Sequence, residues 1–334
     1  MAEKNIHKPT VSVIVPVLNA ESTIKSLLDS LVKVDYDKER IEVILVDGGS
    51  TDKTREIIET YPVKLVLEPR RGLNVARNTG LRNSRGEIVL FTDSDCIVPE
   101  DWVKKMVSNF EDIKVGCAGG NALRYEETFL SRYSDESIMP VLRIFKKREV
   151  LDNVELPLRY PAGCNMAFRR VVFDEVGGFD EDIWYGFDED ELVERVCRVG
   201  YKMVLDPETT VRHQHRGAVP RLLRQTFNYG RGGSLLFRKK KMKDRIARYN
   251  LATLTSFLIW LSITTCLIYL TITVNWFFIV PLLLLTLGPF LLLELFYANK
   301  AIKGSSSLIV VTYPIVDILR FLAYCLGEIY GLTE

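Results

Sequence analysis

The chain has 334 residues, a formal charge of +1 and 26% charged residues, averages that an ordinary soluble enzyme would also show. These averages conceal an uneven distribution, because residues 249–293 contain no Asp, Glu, Lys or Arg. The hydrocarbon core of a bilayer requires about 20 apolar residues per helix. Composition therefore excludes a purely soluble protein, and it also excludes a disordered or fibrous one.

Charge divides the chain into three parts. Residues 1–237 hold 34 bases and 38 acids, and residues 238–248 hold seven bases and one acid. A mildly acidic domain argues against nucleic-acid binding. The basic stretch directly precedes an apolar one, which favours a cytoplasmic anchor at an anionic membrane surface over a solvated linker helix. We therefore predict a globular domain over 1–237, a juxtamembrane collar over 238–250 and a transmembrane region over 251–334.

Cysteine usage and the N-terminal sequence point to the same compartment. The six cysteines show no CxxC pair and no metal-ligand spacing, which is typical of reduced thiols facing the cytosol. The stretch before Val11 has no apolar run and so predicts no signal peptide.

The first half of the globular domain alternates short apolar strands with helical segments. Strands are predicted at 11–15, 41–46, 63–67 and 88–91, and helices at 23–34, 50–61 and 74–84. Ser50 or Asp52 is expected to cap the second helix. This alternation predicts an α/β fold with a mostly parallel sheet and crossover helices. Ligands of such sheets bind beyond the carboxyl ends of the strands.

The second half of the chain is less regular until the apolar segments begin. Helices are predicted at 189–200 and 222–237, and membrane helices at 251–274, 277–297 and 308–330. The first two apolar segments are joined so tightly that they predict a transmembrane hairpin. The third contains Asp317, Arg320 and Glu328. It spans the membrane with Asp317 and Arg320 paired inward, or it lies in the interface, so two to three spans are expected.

Acidic residues follow two of the predicted strands. Asp93 and Asp95 flank Ser94 directly after the fourth strand, and such a carboxylate pair suits a hard divalent cation that also binds phosphate oxygens. A solvated turn is the alternative, and the position after a parallel strand favours the metal. Asp47 closes the second strand and is either a turn residue or an acceptor for a base or ribose.

Four consecutive acids, residues 188–191, open a predicted helix. They complement the helix dipole, or one of them is a general base, because crowded carboxylates raise one another's pKa.

Histidine and arginine residues supply further candidate contacts. His213 and His215 alternate along a predicted extended segment and are metal ligands, phosphate contacts or surface residues. Arg77, which precedes Asn78, and Arg231, which precedes Gly232 and Gly233, are basic points that could hold a diphosphate or a lipid phosphate.

Taken in order, these motifs resemble the family 2 glycosyltransferases, which have the GT-A fold. The matching strings are SVIVPVLN (12–19), VDGGSTD (46–52), GLNVARNTG (72–80), DSD (93–95), GCNMAFRR (163–170) and GGFDE (177–181). The similarity covers residues 10–235 and is closest to enzymes of polyprenyl-linked glycan or polysaccharide assembly. A Rossmann-like α/β domain followed by transmembrane helices is therefore the expected architecture.

The resemblance implies a UDP- or GDP-linked sugar donor, a Mn²⁺ or Mg²⁺ cofactor and inversion at the anomeric carbon. The positions that match the family's nucleotide-sugar site are Pro16, Val17, Asn19, Asp47, Arg77, Asp93 and Ser94. The positions that match its metal site are Asp93, Asp95 and His213.

The sequence departs from the family pattern in two places. Gly48 replaces the second acid of the usual VDDGS string. The acidic motif that supplies the base has an ambiguous register: alignment on Leu192 selects Glu189, alignment on the dipeptide selects Asp190, and Asp188 adjoins both. The QxxRW string of processive enzymes is absent, which favours addition of a single sugar.

These observations predict an inverting transferase at the cytoplasmic face of the cell membrane, with several membrane spans. A polyprenyl phosphate acceptor is already anionic and needs no base, whereas a saccharide hydroxyl needs one. The acidic cluster therefore favours transfer to a lipid-linked saccharide. The alternatives are a polyprenyl- or dolichyl-phosphate glycosyltransferase and, in another class, a catalytically silent membrane-tethered scaffold that binds nucleotide sugar or lipid.

Overall fold

The computed structural model describes residues 8–334 apart from 69, 143, 156–158, 184, 241–244 and 303–307. The chain divides into two compact units. Unit 1 holds most of the chain up to His215, and unit 2 holds Arg216–Glu334 with the short segments Glu136–Met139 and Tyr185–Phe187. Part of the predicted collar, 241–244, lies outside the described residues.

Unit 1 is built from two sheets and short helices. Its strands are β1 Val11–Val17, β2 Ile41–Asp47, β3 Lys64–Leu67, β4 Ile88–Thr92, β5 Cys96–Ile97, β6 Val115–Gly119, β7 Ala122–Arg124, β8 Glu149–Leu151, β9 Asn165–Arg169, β10 Lys202–Leu205 and β11 Val211–His213. Its helices are α1 Ile24–Val32, α2 Thr54–Ile58, α3 Leu73–Arg82, α4 Trp102–Ser108, α5 Phe129–Glu136, α6 Arg170–Val176 and α7 Asp188–Arg198. Glu136, the last residue of α5, groups with unit 2.

The four strands predicted in the first half form one parallel block of the larger sheet. Among the described residues its order is β3-β2-β1-β4-β9-β6-β10-β8. Strand β1 pairs in parallel with β2 and β4, and β2 pairs in parallel with β3. All seven residues of β1 are buried, as expected for a central parallel strand that is covered on both faces. Strand β9 is antiparallel to both β4 and β6.

Helix α2 is shorter than predicted. It begins at Thr54, and the Asp52 carboxylate accepts a hydrogen bond from the Thr54 N–H at 3.0 Å. Asp52 therefore satisfies a backbone donor at the N-terminal end of the helix. It ends at Ile58 instead of residue 61. The N–H groups of Thr60 and Tyr61 bond three residues back, because Pro62 disfavours helical geometry in the residue before it.

A second sheet of unit 1 carries the turn after β4. In the described chain it has the order β5-β11-β7, and His213 of β11 lies opposite Cys96 of β5. Because Cys96 directly follows Asp95, this pairing brings a residue near the end of unit 1 beside the DSD turn.

Unit 2 is helical. Its main helices are α8 Val219–Lys240, α9 Arg245–Thr273, α10 Ile279–Ile302 and α11 Leu308–Thr333. Within the described residues three helices are long and apolar enough to cross a membrane: Ala247–Thr273, Trp276–Ile302 and Ile309–Thr333. The predicted tight connection is a 3-10 turn at Trp276–Phe278, where the Asn275 side chain accepts a hydrogen bond from the Phe277 N–H at 2.9 Å.

The charged residues of α11 lie inside unit 2. The Asp317 carboxylate accepts a hydrogen bond from the Tyr297 hydroxyl. The Arg320 guanidinium donates to Thr226 Oγ1 at 3.2 Å and to the Met139 carbonyl at 2.5 Å. Both charged side chains are buried, so they do not prevent the rest of α11 from facing an apolar medium.

Helix α8 packs along α11, although the sequence placed it in the globular domain. Glycine permits this close approach: a Cβ at Gly230 would lie 1.9 Å from the Tyr324 carbonyl oxygen, and one at Gly327 would lie 1.9 Å from the Phe227 carbonyl oxygen. The grouping of α8 with unit 2 follows from this backbone contact.

Candidate active site

The ends of β1 and β2 hold the residues predicted to bind the nucleotide. Pro16 and Val17 of β1 lie in register with Val46 and Asp47 of β2. The buried Asp47 carboxylate accepts hydrogen bonds from the Ser50 N–H at 3.1 Å and from Arg55 Nε at 2.5 Å. Burial works to raise the pKa of Asp47, but the hydrogen bonds from Ser50 and Arg55 outweigh it and lower that pKa. Asp47 is therefore an anionic acceptor at the end of its strand.

Asn19 organises the loop beside Asp47. It has a positive φ of 49°, a conformation that asparagine tolerates better than most residues. Its Oδ1 accepts from the Thr51 N–H at 2.9 Å, and its own N–H donates to Ser50 Oγ at 2.9 Å. These bonds join the loops that follow β1 and β2. Nucleotide binding by Asn19, Pro16 and Val17 stays a prediction.

Gly48 has a neighbour that the sequence did not indicate. A Cβ at Gly48 would lie 2.9 Å from Glu68 Oε2, so the Glu68 carboxylate occupies the space beside the position where the family usually has a second acid. Burial raises the pKa of Glu68, and the nearby Asp47 charge adds to the rise.

The DSD turn and β11 bring metal-ligand types together. Ligand atoms of Asp93, Cys164 and His213 all lie within 4.8 Å of one another. His213 Nε2 also lies 3.5 Å from Asp95 Oδ1. Burial raises the pKa of Asp93, the nearby Asp95 adds to the rise, and Arg77 opposes it. Ser94 lies between the two aspartates and is half-buried.

The donor set fits a divalent cation such as Mn²⁺. A hydrogen bond with Cys96, together with burial, raises the pKa of the Cys164 thiol well above its ordinary value. The carboxylates of Asp93 and Asp95 and the imidazole of His213 supply oxygen and nitrogen donors at this site. Oxygen ligands suit Mg²⁺ and Mn²⁺, and the added imidazole favours Mn²⁺.

Arg77 of α3 lies at the centre of the charged cluster. Its guanidinium forms an ion pair with Asp188 and lies 5.1 Å from the centroid of the Phe179 ring. Burial opposes its charge, but Asp188, Asp93 and Glu189 outweigh burial and raise its pKa. A Cβ at Gly163 would lie 2.5 Å from Arg77 Nη2, which explains the small residue there.

The four acids of α7 have different partners. Asp188 pairs with Arg77, and Glu191 accepts hydrogen bonds from Arg195 at 2.8–3.0 Å. Asp190 is fully buried, and its Oδ1 accepts from the Glu191 N–H at 3.1 Å. Glu189 is half-buried.

The pKa of Glu189 departs from its ordinary value. Burial and the neighbouring Asp188 carboxylate raise the pKa of Glu189 to about 8, against the opposing charge of Arg77. This pKa suits proton abstraction near neutral pH. Because Asp188 is paired with Arg77 and Asp190 is fully buried, the geometry favours Glu189 as the candidate base.

Arg231 belongs to unit 2. Its guanidinium is ion-paired with Glu334 and lies 4.2 Å from the centroid of the Tyr185 ring. Its predicted contact with a diphosphate or lipid phosphate stays a prediction.

Sequence reasoning missed three side chains around His213. His215 was noticed as its neighbour, but its buried partner Asp135 and the Arg124 that contacts Asp135 were not. Asp135 lies 80 positions before His215, and no local pattern marks it. The thiol of Cys164 was also unexpected near the DSD turn.

A mixed, largely parallel sheet with a carboxylate-rich turn after β4 defines the class of GT-A glycosyltransferases. The family model described as glycosyl transferase family 2 matches residues 12–177, and a model described as the N-terminal domain of galactosyltransferase matches residues 148–216. The chain belongs to glycosyltransferase family 2, and it is a transferase.

Two named glycosyltransferases are similar to this chain in sequence. Glycosyltransferase AglE of Haloferax volcanii is 30% identical over 248 residues, which cover 72% of this chain and 76% of AglE. Dolichyl N-acetyl-alpha-D-glucosaminyl phosphate 3-beta-D-2,3-diacetamido-2,3-dideoxy-beta-D-glucuronosyltransferase of Methanococcus voltae is 23% identical over 69% of this chain and 74% of its own length.

A solved structure shows the same fold. The mannosyltransferase PcManGT from Pyrobaculum calidifontis, in complex with GDP-Man and Mn²⁺, superimposes with a TM-score of 0.64 at 22% identity. The similarity covers 97% of this chain and 88% of that one.

Proposed function

We propose that this chain transfers one sugar from a nucleoside diphosphate sugar to a hydroxyl group of a lipid-linked saccharide, with inversion and with a divalent cation. The observation that carries the proposal is Glu189, a half-buried carboxyl group with a pKa of about 8. The charges of Glu189 and Asp93 both act on Arg77, so the base and the DSD turn belong to one electrostatic cluster.

The chemistry of the acceptor follows from this base. A sugar hydroxyl has to lose its proton as it attacks, and a carboxylate with a pKa near ambient pH accepts that proton efficiently. The new bond forms between the acceptor oxygen and the anomeric carbon. The bond to the diphosphate oxygen breaks, and its electron pair leaves with the nucleoside diphosphate. Attack opposite the leaving group inverts the anomeric carbon.

The other residues hold the donor. Asp47, at the end of β2, is the acceptor for a ribose or base N–H or O–H group. Arg77 places a buried positive charge near the position of the diphosphate. A divalent cation held by Asp93, Asp95 and His213 supplies positive charge that stabilises the departing nucleoside diphosphate.

Membrane attachment supports a lipid-linked acceptor. The apolar helices associate the chain with a membrane. The basic collar favours the cytoplasmic face for unit 1, with α9 and α10 as a membrane hairpin. Arg238 of the collar donates to the Gly331 carbonyl at 3.5 Å, which favours the same face for the end of α11. The relative from Methanococcus voltae acts, by its name, on a dolichyl-phosphate-linked sugar. We infer an acceptor of the same general kind, a saccharide carried on a polyprenyl phosphate or diphosphate.

A comparison of acceptors tests the proposal. The full-length chain in detergent is supplied with Mn²⁺ and a panel of UDP- and GDP-sugars, and each donor is offered with either a polyprenyl phosphate or a polyprenyl-linked saccharide. We expect sugar incorporation only with the polyprenyl-linked saccharide. Incorporation onto the bare polyprenyl phosphate would make the chain a lipid-phosphate glycosyltransferase. An absence of transfer with every donor would contradict the proposal altogether.

A further inference from the structure

His213 is the first member of a chain of hydrogen bonds that leads away from the DSD turn. Its Nδ1 lies 3.2 Å from Nδ1 of His215. On its far side, His215 Nε2 lies 2.7 Å from Asp135 Oδ1. The His215 side chain is 1% exposed and the Asp135 side chain is 5% exposed, so water does not compete for these contacts.

The ionisation of Asp135 determines which atom donates in its hydrogen bond with His215. Its Oδ2 accepts from the Arg124 N–H at 3.0 Å and from Arg124 Nη1 at 3.1 Å. Burial alone would raise the pKa of Asp135, but the hydrogen bonds from His215 and Arg124 outweigh burial and lower that pKa. An ionised carboxylate can only accept hydrogen bonds. His215 Nε2 is therefore a donor, and its proton points to Asp135.

The donor in the His215–Asp135 bond determines the donor in the His213–His215 bond. A neutral imidazole carries one N–H and one lone pair, so a proton on His215 Nε2 leaves the His215 Nδ1 as an acceptor. The 3.2 Å contact then requires His213 Nδ1 to donate. A neutral His213 with its proton on Nδ1 has its lone pair on Nε2, the atom that lies 3.5 Å from Asp95 Oδ1.

We propose that Asp135 and His215 are positioning residues that hold the His213 imidazole in the Nδ1–H tautomer, so that Nε2 can ligate the divalent cation of the DSD turn. The proposal rests on the metal-dependent function proposed above. The reverse order of protons would leave two acceptor atoms, Asp135 Oδ1 and His215 Nε2, facing each other at 2.7 Å. A cation bound between an imidazole nitrogen and a carboxylate oxygen needs lone pairs on both, and outer hydrogen bonds of this kind commonly orient metal-binding histidines.

The tautomer can be measured directly in the metal-free chain. The sequence has three histidines, His7, His213 and His215, so ¹⁵N-histidine labelling gives few signals. A His7→Gln variant and a His215→Gln variant identify the signals of His7 and His215, which leaves those of His213. Two-bond ¹⁵N–¹H correlation at pH 8 reports which ring nitrogen carries the proton. We expect His213 protonated on Nδ1 and His215 on Nε2. A proton on Nε2 of His213 in the wild-type chain would overturn the proposal.

Asp135→Asn tests the same tautomer assignment by reversing the hydrogen bonds that run from Asp135 through His215 to His213. The amide oxygen faces the two Arg124 donors, which places the NH₂ group against His215 Nε2 and reverses both histidine tautomers. We expect the His213 proton to move to Nε2 and the affinity for Mn²⁺, measured by electron paramagnetic resonance, to fall by roughly 10–100-fold. A similar change of a hydrogen-bonded aspartate disables a catalytic histidine by imposing the wrong tautomer.

Glu127→Gln is the matched control. Glu127 contacts the same Arg124 at 2.9 Å through Nε but lies on the exposed side, 61% accessible. We expect its tautomers and Mn²⁺ affinity to match those of the wild type. Two results would show that Asp135 and His215 do not position His213, while the proposed function stands. In one, Asp135→Asn also binds Mn²⁺ with wild-type affinity. In the other, Asp135→Asn lowers thermal stability without moving the His213 proton. If the wild type binds no Mn²⁺, both fail.

Discussion

Four consecutive acids open α7, and their surroundings separate one of them from the rest. Asp188 and Glu191 are paired with Arg77 and Arg195, and Asp190 is fully buried. Glu189 is half-buried, and its pKa is raised to about 8. Glu189 is therefore accessible to an acceptor and can take the proton of the acceptor hydroxyl. It differs from the other three acids in its environment, because all four are carboxyl groups.

Glu189→Gln removes the proposed base and nearly preserves side-chain shape. We expect kcat for transfer to fall by roughly 10²–10⁴-fold, the usual contribution of a general base, while donor binding measured by isothermal titration stays within about twofold. Glu194→Gln on the same helix is the control, because Glu194 pairs with the exposed Arg198. Wild-type turnover of Glu189→Gln would remove Glu189 from the mechanism.

The raised pKa of Glu189 also predicts a pH dependence. The base acts only when ionised, and below a pKa of about 8 its ionised fraction falls tenfold per pH unit. We therefore expect kcat/KM to rise with pH with a slope of one and to level off above pH 8. Steady-state rates between pH 5.5 and 9.5 measure this profile. A profile that is flat from pH 6 to 9 is inconsistent with a base of this pKa.

At the scale of elements, the active site depends on how α7 is held. Arg195 donates to Glu191, to the Val176 carbonyl and to the Gly178 carbonyl at 2.7 Å. One guanidinium thus joins the acidic helix to the turn after α6. Glu191 is 1% exposed, so its charge depends on Arg195 for compensation.

Arg195→Met should therefore destabilise unit 1. Loss of the guanidinium leaves a buried carboxylate without its main partner, which costs roughly 3 kcal/mol and lowers the Tm by about 10 °C. Thermal unfolding in detergent provides the measurement. Arg198→Met removes an ion pair on the same helix whose arginine is 58% exposed, and it should shift the Tm by only about 1 °C. Equal shifts for the two variants would refute a structural role specific to Arg195.

The sequence was informative about elements wherever the signal is local. The continuous apolar runs of β1 and β4 predict buried parallel strands, and the DSD turn follows β4 because the run ends there. Contacts made by the tertiary fold were not predictable in this way. Nothing near His215 marks Asp135, and nothing near Gly48 indicates that Glu68 of a later segment lies beside it. The placement of α8 along α11 likewise depends on glycines whose partners are distant in sequence.

At the scale of the whole molecule, near-zero net charge is the sum of an acidic globular unit, a basic collar and apolar helices. The expected hairpin and third segment are all helical, and the buried Asp317 and Arg320 explain how charges occur in an apolar helix. The end of α11 lies beside the collar, because Arg238 Nη1 donates to the Gly331 carbonyl at 3.5 Å. We therefore expect α9 and α10 to span the membrane and the end of α11 to stay on the face of the collar.

Cysteine accessibility tests this topology. Replacing the exposed Cys266 by serine leaves five buried cysteines as background. Ile113, 77% exposed in unit 1, is then changed to cysteine in one variant, and a cysteine is added after Thr333 in another. With intact cells, we expect an impermeant maleimide to label neither position until the membrane is permeabilised. Labelling of the cysteine after Thr333 alone would contradict this topology and indicate three spans.

The anomeric configuration of the product tests the central claim most directly. The chain is incubated with Mn²⁺, a donor sugar that it uses and a polyprenyl-linked saccharide, and the new glycosidic linkage is read from the coupling constant of its anomeric proton. The account predicts the configuration opposite to that of the donor, formed only when the divalent cation is present and lost in Glu189→Gln. A product that retains the donor configuration would contradict direct attack by a hydroxyl activated by Glu189.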